Sequence, residues 1–148
     1  MIYNIMRKDT VLARINMDDG FVQVKENLPF GLNLSDISSE STIIDRVKNI
    51  SNFKSWCAGR LLNLHYVNKS DNNTISSFFY KLNDDEKMKI SLIYKCTDVQ
   101  DDFWVKEDND NSHYQNILSD RLKFFNKVTS ISSKTEMCAF RNFISMSF

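Results

Sequence analysis

Tyr3, Ile5, Val11, Ala13 and Ile15 alternate with polar positions, so residues 2–15 read as strand, with Arg7-Lys8-Asp9 as a polar interruption or a turn. Asp18-Asp19-Gly20 is a turn signal, and Phe21, Val22 and Val24 follow as the next strand. An antiparallel hairpin turning at Asp18 to Gly20 is the simplest prediction. Leu28-Pro29-Phe30-Gly31 ends that strand, because proline removes a donor and glycine permits positive φ.

The period then changes from two to about 3.6. After a polar loop over 35–41, Thr42 to Asp45 has the spacing of a capping box, and Ile43, Val47 and Ile50 recur at helical spacing. A break is predicted near Asn49 to Asn52, with Phe53, Trp56, Cys57 and Leu61 on a second helix. Residues 68–73 read as a polar linker, and Thr74 caps a helix carrying Ile75, Phe78, Phe79 and Leu82. Residues 87–96 fit two patterns, because Met88, Ile90, Leu92, Tyr94 and Cys96 alternate while Met88, Leu92, Ile93 and Cys96 also share a helical face. The acids Asp84, Asp85 and Glu86 stand where a helix N-terminus favours negative charge, and helix is the reading adopted.

Asp98 to Asn111 reads as an acidic loop with a short apolar island, Phe103-Trp104-Val105. Tyr114, Ile117, Leu118, Leu122, Phe125 and Val128 mark a further helix, with Arg121 as its one polar member on that face. Residues 144–148 alternate and predict a last strand that docks in the sheet, since it would otherwise expose an apolar edge. The expected architecture is one α+β domain over 1–148, an N-terminal antiparallel hairpin joined by the C-terminal strand and packed on four to five helices.

Composition changes this picture in one respect. Lysine plus arginine and aspartate plus glutamate both number 19, for a formal net charge of zero. That argues against a protein whose main task is to coat nucleic acid. No apolar stretch approaches the roughly 20 residues of a membrane span, and Arg7, Lys8 and Asp9 interrupt any leader-like run. A cytoplasmic location is the expectation, and Cys57, Cys96 and Cys138 fit reduced, mostly buried thiols.

No catalytic, cofactor or metal set can be assembled from the residue pattern. The acidic loop fails the calcium-loop spacing from either start, with His113 at position six and Ser119 at position twelve counted from Asp108, and Gln100 at position three counted from Asp98. Cys57 and His65 are the nearest approach to a nucleophile and base, with nothing local to specify the pair. Gly20, Gly31 and Gly59 are the only glycines and build no phosphate-cradling loop. Residues 41–70 are basic, with Arg46, Lys48, Lys54, Arg60 and Lys69 against Asp45. Exposed on helices near Trp56, they offer a nucleic-acid surface as the alternative reading.

Three segments in order carry a family resemblance. The run from Met1 to Ile15 resembles the opening of HipA-like proteins of low-GC Gram-positive bacteria, in which a short strand ends in Met, a polar residue, Lys and Asp and returns as a second strand. Phe53, Trp56 and Arg60 are similar to that family's Leu-x-x-Trp-x-x-x-Arg element, and Asp101, Phe103, Trp104, Val105 and Lys106 to its Asp-x-Tyr-Trp-Ile-Lys element. The chain departs after Arg60, where Leu62-Asn63-Leu64-His65-Tyr66 stands in place of the family's Ile-Pro-x-x-Arg. The resemblance covers roughly residues 1–125 and implies an N-terminal module without its kinase part, whose motif residues build the fold.

Such a module acts by binding. The expected function is a non-catalytic, protein-binding regulator, either an antitoxin-like partner of a kinase-like toxin or a phage-borne inhibitor of a host defence protein such as a CRISPR effector. Charge is segregated along the chain, and the acidic loop is denser than the basic helices. Asp101, Asp102, Asp108 and Asp110 are therefore the expected partner-binding residues. Trp56 and Trp104 are both expected in the core.

Overall fold

A computed structural model of the chain describes residues 1–36, 43–67, 79–98, 100–119, 138–139, 141–143 and 146, with side chains of 62–67 excepted. The fold is α+β, as the alternation and the later helical periods require. Strands β1 (Ile2–Arg7), β2 (Thr10–Asn16), β3 (Val22–Val24) and β4 (Phe103–Glu107) form one antiparallel sheet in the order β3-β2-β1-β4. Helices α1 (Ile43–Val67) and α2 (Asp84–Ile93) pack on it, and residues 114–119 form a short helix.

The predicted hairpin is present, with Ala13, Arg14 and Ile15 opposite Val24, Gln23 and Val22. Its turn is locked by Gly20 N–H donating to Asn16 O at 2.8 Å and by Phe21 N–H donating to the Asp19 carboxylate at 2.9 Å. Gly20 has φ +80, and a Cβ there would collide with the Arg46 backbone of α1. Glycine is required twice at this position, for the left-handed turn and for the close approach of the helix. Arg7-Lys8-Asp9 resolves as a second tight turn, so the first 24 residues form a three-stranded meander.

A register shift between Ile5 and Met6 marks a bulge on β2, and Leu12 and Ala13 are both buried in consequence. Tyr3, Ile5, Ala13, Ile15, Val22 and Val105 join Phe53 and Cys57 of α1, Met88 of α2 and Cys96 in the main core. Met6, Trp104 and Ile117 form a second cluster, with Val11 and Tyr114 packed against it. Fully buried aromatic rings such as Phe53 and Trp104 supply much of the burial that drives folding.

Several expectations need correction. Helix α1 runs unbroken through Asn49 and Asn52. Asn49 is buried because its side chain accepts from Ser35 N–H at 2.9 Å and donates to Ser35 O and Gly20 O, clamping the loop and the hairpin turn to the helix. A polar residue that looks like a breaker is held by tertiary partners. The apolar island of the acidic loop is strand β4, paired with β1 from Tyr3↔Glu107 to Arg7↔Phe103. Trp104 is fully buried, whereas Trp56 is only half-buried.

Residues 84–93 are helical, as the acidic N-terminus suggested. Asn83 is the N-cap, and Glu86 completes a reciprocal capping box. The Thr42 cap, the 68–73 linker, most of the helix expected from Thr74, and residues 120–128 lie outside the described residues. So does the strand expected over 144–148, save Met146, which is exposed.

Candidate binding groove

An open groove of about 790 Å³ lies between the last turn of α2 and the β1–β4 pair. Its walls are apolar where Tyr3, Leu92, Ile93 and Val105 meet, and charged where Lys89, Lys95, Lys106, Glu107 and Asp110 line it. That volume falls within the range of about 300–1,000 Å³ common for ligand clefts. The elements place these residues in a simple way. Tyr3 lies directly opposite Glu107 in the β1–β4 ladder, and Lys95 O accepts from Val105 N–H at 2.8 Å, which fixes the helix turn beside β4.

The groove's charges are partly committed. Lys95 Nζ donates to Asp110 and, at 3.0 Å, to Ser112. Burial works against ionisation of Asp110, but the bonds from Lys95 and Ser112 outweigh it and hold the carboxyl down at about 2. Lys106 Nζ reaches Ser112 O at 3.3 Å and lies over the Trp104 ring. Lys89 is half-exposed, and its ion pair with Asp85 at 3.3 Å is a surface pair of little strength. Burial, with a smaller effect of Glu107, pushes Tyr3 up to about 12, so its hydroxyl keeps its proton through the neutral range.

The four expected partner-binding carboxylates do not gather on one free surface. Asp101 grips Arg60 through both oxygens, at 2.8 and 3.0 Å. Asp102 accepts from the Tyr114 hydroxyl at 3.2 Å. Asp108 accepts from Arg14 at 2.6 Å and from Asn4 at 3.2 Å. Asp110 alone lines the groove. Each carboxylate braces the segment that the sequence presented as a loop.

The basic helix is also partly consumed. Arg60 is buried, Lys54 pairs with Asp85 at 3.4 Å, and the Arg46 guanidinium lies over Phe21. Lys69 and the side chain of His65 lie outside the described residues.

Arg60, expected both among the motif residues that build the fold and in the alternative basic surface, is buried. Its side chain donates to Cys96 O, to Phe103 O at 2.9 Å and to Asp101, and its guanidinium stacks 4.7 Å from the Trp56 ring centroid. The signal was available, since Phe53, Cys57 and Arg60 fall on one face of a helix. The groove left no such signal, because its lysines are spread over three separate elements.

Among the described residues, no group of three or more His, Cys, Asp or Glu is placed to hold a metal ion, and no helix is long and apolar enough to cross a membrane. No family model, curated protein or solved structure matches the chain. Of the motif positions singled out in the sequence, Phe53, Arg60 and Trp104 are buried here.

Proposed function

We propose that the chain is a non-catalytic, protein-binding regulatory module that takes an apolar, acid-flanked segment of its partner into the groove between α2 and the β1–β4 pair. The observation that carries this reading is the groove itself, with apolar walls beside Lys89 and Lys106. A segment with one or two aromatic or aliphatic anchors would bury them against Tyr3, Leu92, Ile93 and Val105, while its carboxylates meet the lysines. Antitoxin-like and inhibitor roles both consist of such a contact, so the reading accommodates the expectation from the HipA-like resemblance. It moves the contact away from Asp101, Asp102 and Asp108, which have internal partners.

Panning random displayed peptides against the folded chain tests this. Enriched peptides should combine Asp or Glu with aromatic or aliphatic residues. Their affinity should fall about tenfold or more, equivalent to about 1.4 kcal/mol, in a Lys89→Glu/Lys106→Glu variant whose circular dichroism matches the parent. Enriched peptides that bind this variant as tightly as the parent, or a panning that enriches nothing, would refute the groove as the contact.

A further inference from the structure

Strand β4 is one edge of the sheet, with β1 on its inner side. Lys8 N–H donates to Asp102 O and Asp108 N–H to Ile2 O, both at 3.0 Å, which sets the phase of the β1–β4 ladder. Trp104 and Lys106 therefore turn their N–H and C=O towards β1, while Phe103, Val105 and Glu107 turn theirs away from it.

Most of these outward groups have partners. Phe103 N–H donates to the Asp101 carboxylate and Phe103 O accepts from Arg60, both at 2.9 Å. Val105 N–H donates to Lys95 O at 2.8 Å, and Glu107 O accepts from Asp110 N–H at 3.0 Å. Val105 O and Glu107 N–H remain, and neither has a partner among the described residues. An acceptor and a donor two residues apart on one edge are the pair that an added strand satisfies. Both belong to residues that line the groove.

A side chain holds the space beside them. Lys95 meets the strand at Val105, and its Nζ ends on Asp110 and Ser112, beyond Glu107, so its stem runs along this edge. Val105 is buried beside it. The lysine is set there by a turn in which Lys95 at φ 61 and Cys96 at φ 53 are consecutive left-handed residues without glycine. Such backbone persists only where surrounding contacts over-determine it, and it clusters at ligand clamps.

We propose that the groove takes its partner segment as an extended strand added to the outer edge of β4, bonded to Val105 O and Glu107 N–H. This rests on the groove reading above and adds the conformation and register of the segment. The occupant is an acid-flanked extended peptide, because Lys89, Lys95 and Lys106 stand beside the open edge. Its carboxylate draws Lys95 Nζ from Asp110, and its backbone takes the place of the lysine stem. Main-chain bonds fix the register, and every second side chain faces the apolar wall of Leu92 and Ile93.

The test is amide hydrogen exchange, read by NMR on the full chain, free and saturated with a synthetic peptide taken from the panning. Lys106 N–H, held by β1, is the internal reference. The peptide should slow exchange at Glu107 N–H about tenfold or more and leave Lys106 little changed. Methylating the peptide's amides one at a time should weaken binding about tenfold at the residue that meets Val105 O, and much less at its two neighbours, whose N–H groups point away. A Glu107 N–H already slow in the free chain means that the edge is occupied, by a second copy or another segment, and overturns the proposal. A peptide that needs Lys89 and Lys106 but leaves Glu107 exchange unchanged, or has no single sensitive amide, overturns strand addition while the groove reading stands. A panning that enriches nothing, or only peptides indifferent to Lys89→Glu/Lys106→Glu, overturns both.

Discussion

Replacing Arg60 by methionine keeps the aliphatic stem in the core and removes the guanidinium. Two carbonyls, Cys96 O and Phe103 O, then lose a donor. Leaving a buried acceptor unsatisfied costs about 1–3 kcal/mol. The lost stacking on Trp56 adds about 0.5–1 kcal/mol. Against this, a charged group that is only 6% exposed no longer has to be desolvated. Asp101, 30% exposed, regains water and keeps its bond from Phe103 N–H. The net loss expected for Arg60→Met is about 2–4 kcal/mol.

Asp101→Ala is the sharper perturbation for its size, because it strands the guanidinium without its counter-ion. Breaking a buried pair from one side costs about 3–5 kcal/mol, and the partial exposure of Asp101 places this case in the lower half of that range. The double variant should cost clearly less than the sum, with a coupling of about 1–3 kcal/mol. Urea unfolding at neutral pH, followed by circular dichroism, measures all three. An Arg60→Met loss under about 0.5 kcal/mol, or strict additivity in the double variant, would refute the view that Arg60 ties α1 to the Cys96 turn and to β4.

Trp104→Ala should cost about 3–5 kcal/mol, since the ring is fully buried and its Nε1–H donates to Lys8 O at 2.6 Å. Half-buried Trp56→Ala should cost no more than about half as much, and equal losses in urea titrations would contradict the observed packing. Asp110, held at about 2 in the fold against about 3.9 unfolded, contributes stability that is complete above the unfolded value and is lost as pH falls towards 2. Unfolding midpoints between pH 5 and pH 2 should therefore fall less steeply for Asp110→Asn than for the parent, and parallel slopes would count against the Lys95–Asp110 pair.

What could be read in the sequence was whatever local chemistry decides. The Asp19-Gly20 turn follows from conformational freedom at one residue, and the α2 start from Asn83 and Glu86 three residues apart. What could not be read depends on partners far away in the chain. Asn49 stays helical because Gly20 and Ser35 accept and supply its hydrogen bonds. The Phe103 segment becomes a strand because β1 offers it an edge, and nothing within residues 98–111 announces that. Three of the acidic residues expected to bind a partner, Asp108, Asp101 and Asp110, pair with cations from three distant segments, Arg14, Arg60 and Lys95. Their partnering is a tertiary fact, and net charge by segment cannot express it.

The strand order has a consequence for how the chain is made. The β1–β2–β3 meander is complete by residue 24, yet the other side of β1 is filled only by β4, at residues 103–107. At about 5–20 residues per second, synthesis leaves that side of β1 open for several seconds or more. Throughout that interval Ile5 and Met6 sit on a strand with unmade backbone bonds, the condition under which nascent chains pair with one another. Closing the sheet needs a contact about a hundred residues apart, so β1–β4 pairing carries the largest loop-closure cost of the strand pairs in this sheet.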